Sequence, residues 1–174
     1  MIKDILKEAI SIEIYGQEYY SIFSKLVSDE NAKALFRGLD EEEHKELLEK
    51  EYRNILGEAI DINALSRENI EKARNIFPES LDNIIDTKDV LKLGIRTEER
   101  SIEFYSNSAK QVDNPSSKDL FLKLIRVEEG HKTVLEEALY YLEQEATWYG
   151  YSPTIEGYNE LALWYSRCSY KLRK

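Results

Sequence analysis

The chain has 174 residues, 33% of them charged, with 34 acids against 24 bases and a net charge of −10. That length suits one domain with a sizeable core, and only 7 Gly and 3 Pro favour long helices over a strand-and-turn architecture. The acidic balance disfavours nucleic acid and anionic membrane as partners, and Cys168, the single cysteine, excludes an internal disulfide and any four-cysteine metal site.

The opening stretch MIKDILKEAI carries charges every few residues and lacks the apolar centre of a signal peptide. No run approaches the roughly 18 apolar residues of a membrane span. A cytoplasmic protein is expected. Ile5, Leu6, Ala9, Ile12, Glu13, Gly16, Tyr19, Tyr20 and Phe23 recur at three- and four-residue steps. They predict a first helix over 2–27 with a glutamate inside its buried stripe. SDEN (28–31) supplies a turn and a cap, and a second helix over 31–56 ends at Gly57.

Residues 58–86 read as a crossover with a short helical piece stopped by Pro78. Asp86 or Thr87 caps a third helix to 112, DNPSS makes a turn, and a fourth helix covers 117–148. WYGYSP breaks the chain again before an aromatic-rich fifth helix over 154–172. Two helix hairpins joined by a long crossover predict an all-α four-helix bundle of the ferritin-like kind over 1–148, followed by a tail over 149–174.

Shifted by 85 residues, the halves align without a gap: 16 of 44 positions are identical between 3–46 and 88–131. Unrelated helical segments would share about three to five, so the hairpin is duplicated. The repeat singles out particular acids. Glu13 matches Glu98, and Glu43 matches Glu128. Leu35, Phe36 and Leu39 match Leu120, Phe121 and Leu124. Four residues beyond Leu39, Glu43 takes the same helix face, which leaves Glu41 and His44 on the flanks. In the second half Glu128 and His131 form a Glu-x-x-His pair on one face, and Glu46 stands at the equivalent of His131. Glu18 and Glu103 also repeat but lie off the stripe, as solvated residues.

Several acids meeting in a core would repel one another, and a buried carboxylate without a partner costs several kcal/mol. No lysine or arginine recurs on the inward stripe of both halves, so divalent metals are the expected counter-charge. Carboxylates with an imidazole suit iron or manganese. Tyr20 and Tyr105 follow Glu13 and Glu98 by seven residues, two turns on, as core tyrosines able to bond to ligand carboxylates.

At AISIEIYGQEYY, GIRTEERSIEFY, LFRGLDEEEHKELL and LFLKLIRVEEGHKTVL the chain resembles the rubrerythrin-like branch of the ferritin superfamily, over roughly residues 1–145. The resemblance implies two iron ions, with manganese or a mixed pair as the alternative. They would be held by Glu13, Glu43, Glu98, Glu128 and His131, with Glu46, a carboxylate that can still ligate, in place of the histidine expected in the first Glu-x-x-His. A second register, with Glu41 and His44 in place of Glu43 and Glu46, restores a first Glu-x-x-His but breaks the ungapped repeat.

The resemblance further implies reduction of peroxide or dioxygen. The chain lacks the cysteines of a rubredoxin-type site, so electrons would come from a separate donor protein. Ser101 stands where rubrerythrins carry an extra carboxylate, which weakens the case for peroxidase chemistry more than that for metal binding. Two other functions fit the same residues: iron or manganese binding without turnover, and an interaction bundle with a degenerate site. The tail, with Trp148, Tyr149, Tyr151, Tyr158, Trp164, Tyr165 and Tyr170, is too aromatic for a solvated extension and points to a homodimer.

Overall fold

The computed structural model describes residues 1–39, 42–62, 65, 73–74, 77 and 84–144. Among them run α1 (Ile2–Leu26), α2 (Glu30–Gly38), α3 (Glu42–Leu56), α4 (Thr87–Gln111) and α5 (Pro115–Glu143), and no strand. Polar caps set the starts. Asp29 Oδ1 accepts the Ala32 N–H at 2.8 Å, and Asn114 Oδ1 accepts that of Ser117 at 3.1 Å, just ahead of Pro115. Asp86 and Asp89 form a reciprocal box, in which Asp89 N–H donates to Asp86 at 3.0 Å and the Asp89 carboxylate accepts from the Asp86 N–H at 3.4 Å. Such caps contribute about 1 kcal/mol each. At the far end of α3, Gly57 takes φ +70°, a left-handed conformation glycine adopts without a Cβ penalty.

One expected helix is two. The second helix, read from sequence as continuous over 31–56, stops at Gly38. Leu39 leaves the helical region with φ −83° and ψ 52°, and α3 starts afresh at Glu42. Its counterpart α5 runs unbroken from Pro115 to Glu143. This difference between the duplicated halves decides which side chains reach the centre.

Helix α1 packs on α2, α3 and α4, α4 on α5, and α5 on α3, giving the four-helix bundle with α2 and α3 sharing one position. Its interior has two apolar layers. One gathers Tyr20, Phe23, Phe36, Leu91 and Leu135. The other gathers Leu6, Ile10, Leu48, Tyr105 and Phe121. Each fully buried Leu or Phe contributes about 1.5–3 kcal/mol of transfer free energy. In chain order, Glu13, His44, Glu98, Glu128 and His131 all fall between residues of one layer and residues of the other, which places a polar belt mid-bundle. From the crossover, Ala73 and Phe77 pack on Ile12.

No helix of the described residues is long and apolar enough to cross a membrane. The helix expected over 154–172, the domain boundary at 148 and Cys168 lie outside the described residues.

Candidate metal centre

Five buried side chains meet in the belt. Glu13 (2% exposed) comes from α1, His44 (4%) from α3, Glu98 (1%) from α4, and Glu128 and His131 (2% each) from α5. Glu128 is common to two groups. Its Oε1 lies 3.2 Å from His44 Nδ1, which is also 3.5 Å from Glu13 Oε2. Its Oε2 lies 3.0 Å from His131 Nδ1, which is also 3.8 Å from Glu98 Oε1. The two imidazoles stack with centroids 5.6 Å apart and planes inclined by 16°. In each triad, Glu13–His44–Glu128 and Glu98–Glu128–His131, one ligand atom per residue lies within 4.8 Å of the others.

The outer oxygens are held crosswise. Tyr20 of α1 donates its hydroxyl proton to Glu98 of α4, and Tyr105 of α4 donates to Glu13 of α1. The phenols that the sequence places two turns beyond each acid therefore serve the acid of the other hairpin.

Electrostatics leaves this set incomplete on its own. Burial raises the Glu128 carboxyl, but the charges and hydrogen bonds of His44 and His131 outweigh it and hold the group well below the usual carboxylate range. Even with both imidazoles protonated, three carboxylates leave a net negative charge in a dry interior. Among the described residues no lysine or arginine is buried to offset it. Oxygen and imidazole nitrogen donors without thiolate fit iron or manganese, so the residues present suit a pair of such ions.

The expected inward phase of Glu43 and Glu46 needs correcting. Both are exposed, while His44, expected on the flank, is buried. The interruption after Gly38 re-phases the helix, so a periodicity carried unbroken from Leu39 points to the wrong face. Glu41 lies outside the described residues. The missed signal was a gap. Laid over EEGHKTVLE (128–136), EEEHKELLE (41–49) matches at 6 of 9 positions, against 1 of 9 over RVEEGHKTV (126–134). The repeat moves from a shift of 85 to one of 87, and the helix break absorbs the two residues. Glu18 and Glu103 are exposed, as expected.

A family model described as Rubrerythrin matches residues 4–139 and, a second time, 89–172. The two matches begin 85 residues apart, the shift of the repeat. Among solved structures, a hypothetical protein from Pyrococcus furiosus is 23% identical, with a TM-score of 0.67 over 85% of this chain and 94% of that one. A dodecameric thioferritin, the bacterioferritin-related protein of Bacteroides fragilis, is 18% identical, with a TM-score of 0.70 over 83% and 87%. A two-domain protein from Anabaena variabilis, with DJ-1/ThiJ/PfpI-like and ferritin-like domains, is 22% identical, with a TM-score of 0.63 over 88% of this chain and 40% of that one. At these identities the likenesses show the ferritin-like fold. No curated protein matches the chain.

Proposed function

This chain belongs to the rubrerythrin family, and from that premise we propose that it is a di-iron carboxylate oxidoreductase that reduces hydrogen peroxide or dioxygen. The observation that carries the reading is Glu128, buried and facing two imidazoles, one from each hairpin, in a set of donors that is short of positive charge. A bound pair of ferrous ions would supply the two electrons that cleave the O–O bond of peroxide, with two protons taken up and two waters released. Glu13, His44, Glu98, Glu128 and His131 are the residues that would hold the pair of ions. Glu41, which the gapped repeat aligns with Glu128, is proposed on that sequence match alone as a fourth carboxylate ligand. Tyr20 and Tyr105 orient the carboxylates of Glu98 and Glu13, and the apolar layers keep bulk water away.

The single cysteine cannot build a four-cysteine iron site, and the proposal assigns reduction to a separate donor protein. A cytoplasmic location and self-association complete the proposal. The bacterioferritin-related protein of Bacteroides fragilis is a dodecamer, and a homodimer is the smallest assembly proposed here. One observation favours a second reading, in which the metal is held without turnover. Ser101, buried beside the site, stands where the resemblance calls for a further carboxylate.

The test is an anaerobic Fe(II) titration of metal-stripped protein, followed by one addition of peroxide with the absorption spectrum recorded. Saturation at two irons per chain and the absorption of a diferric centre are expected. Binding without oxidation favours the second reading. No saturable binding by helical protein refutes both.

A further inference from the structure

We propose that Phe77 is a size filter for the metal centre, restricting its oxidants to molecules on the scale of hydrogen peroxide or dioxygen. The inference rests on the metal reading above and names the residue that limits the size of its substrates. A cleft borders the site, lined in part by Glu13, Glu98, Glu128, Gly16, Ser101 and Phe77. Its volume is about 10 Å³, room for a single water-sized molecule. Gly16 and Ser101 are equivalent positions of the repeat, one turn beyond Glu13 and Glu98. Both are small, so the bundle's own helices leave space beside the carboxylates.

An aromatic ring from the crossover takes up that space. Phe77 is 4% exposed and packs with Ile12 and Ala73. Its ring stacks on Tyr15 and Tyr19, with centroids 6.0 and 5.0 Å away and planes inclined by 27° and 28°. Stacking on two rings and packing on an aliphatic side chain hold the Phe77 ring in place. Dioxygen and hydrogen peroxide, each two heavy atoms, are close to the size of the cleft. A tert-butyl group is larger than the single water-sized molecule the cleft admits, and by this proposal reaches the carboxylates only if Phe77 leaves.

The test loads the protein with Co(II), whose visible absorption reports its ligands, and follows that absorption as anions are added. Azide is expected to perturb the spectrum of wild type, Phe77→Leu and Phe77→Ala alike. Pivalate, a carboxylate on a tert-butyl group, is expected to leave wild type unchanged and to bind Phe77→Ala about tenfold or more tightly, with Phe77→Leu between them. In parallel, the ferrous protein is oxidised in single turnovers by hydrogen peroxide or by tert-butyl hydroperoxide. The latter takes two electrons and two protons to give tert-butanol and water. The rate ratio favouring hydrogen peroxide should fall about tenfold or more in Phe77→Ala. Pivalate binding equally to wild type and variants overturns the filter, as does an unchanged rate ratio in protein that oxidises normally. Failure of every variant to take up Co(II) or iron overturns the metal reading itself, and the filter with it. Phe77→Leu keeps the test valid if Phe77→Ala does not fold.

Discussion

Truncating His44 to alanine, beside Glu46→Ala, separates the two registers in one experiment. His44 Nδ1 sits 3.2 Å from a Glu128 oxygen and 3.5 Å from one of Glu13. At an effective dielectric constant of 20, a charge pair at that separation is worth about 5 kcal/mol before desolvation. Removing one partner of a buried pair costs about 3–5 kcal/mol, because the other stays behind uncompensated. A domain of this size loses about 2–4 °C of melting temperature per kcal/mol, so metal-free His44→Ala should melt about 6–20 °C below wild type. Glu46 is exposed, and its truncation should stay within about 0.5 kcal/mol. Thermal unfolding followed by circular dichroism, on metal-stripped protein, reads both. A fall for Glu46→Ala as large as that for His44→Ala, or none for either, would refute the argument from burial and distance.

Other consequences can be checked in the same way. Tyr20→Phe and Tyr105→Phe each remove a donor to a buried carboxylate and should each lower the unfolding free energy by about 1.5–3 kcal/mol in urea titrations. Glu128 has its carboxyl held well below the ordinary carboxylate range in the folded protein, where His44 and His131 outweigh the effect of burial, so the unfolded chain binds that proton more readily. Its stabilisation is complete above the ordinary carboxylate range and is lost as the pH falls through the lowered folded value. The urea midpoint of metal-free protein should therefore drop on acidification below about pH 5, and Glu128→Gln should flatten that slope. Glu41→Ala should weaken Co(II) or Fe(II) binding at least tenfold, on the order of the loss from a disturbed ligand shell, while Glu43→Ala leaves it unchanged in a metal titration. Glu51, buried, accepts the hydroxyls of Ser116 at 3.1 Å and Ser117 at 2.8 Å; Glu51→Ala should cost about 1–3 kcal/mol by the same unfolding assay.

Periodicity made α1, α4 and the α5 site legible because nothing interrupts their helical phase between the apolar stripe and the acid. Glu13, Glu98, Glu128 and His131 all lie on the face that the stripe predicts. The caps in SDEN and at Asp86 were equally readable, since Asp29 and Asp86 act through bonds to backbone only three residues away. DNPSS, by contrast, reads only as a turn, and Asn114 caps a helix that starts two residues earlier than expected. His44 was assigned to a flank for a physical reason. A helix break costs little sequence, here Gly38 followed by two residues fewer than in the other half, yet it turns every later side chain by about 200° at roughly 100° per residue. An ungapped repeat cannot register that rotation, whereas the gapped match over EEEHKELLE does. The crossing of the tyrosines was legible only in part. The sequence places each phenol two turns from an acid, but the choice of acid depends on how α1 faces α4, a tertiary matter.

That crossing ties together the histories of the two hairpins. The hydroxyl of Tyr20 answers to Glu98, 78 positions away, and that of Tyr105 answers to Glu13, 92 positions away. Two identical copies of one hairpin, related by a two-fold axis, would satisfy both bonds at once, as an isologous pair does. After fusion into one chain the obligation persists while the copies diverge. A substitution at Tyr20 is then judged by its effect on the opposite hairpin, and the crossover can vary in length or composition only so far as both partners still meet. The halves have become free to differ in register, as the break after Gly38 records, but not at the four positions where each lends the other a proton.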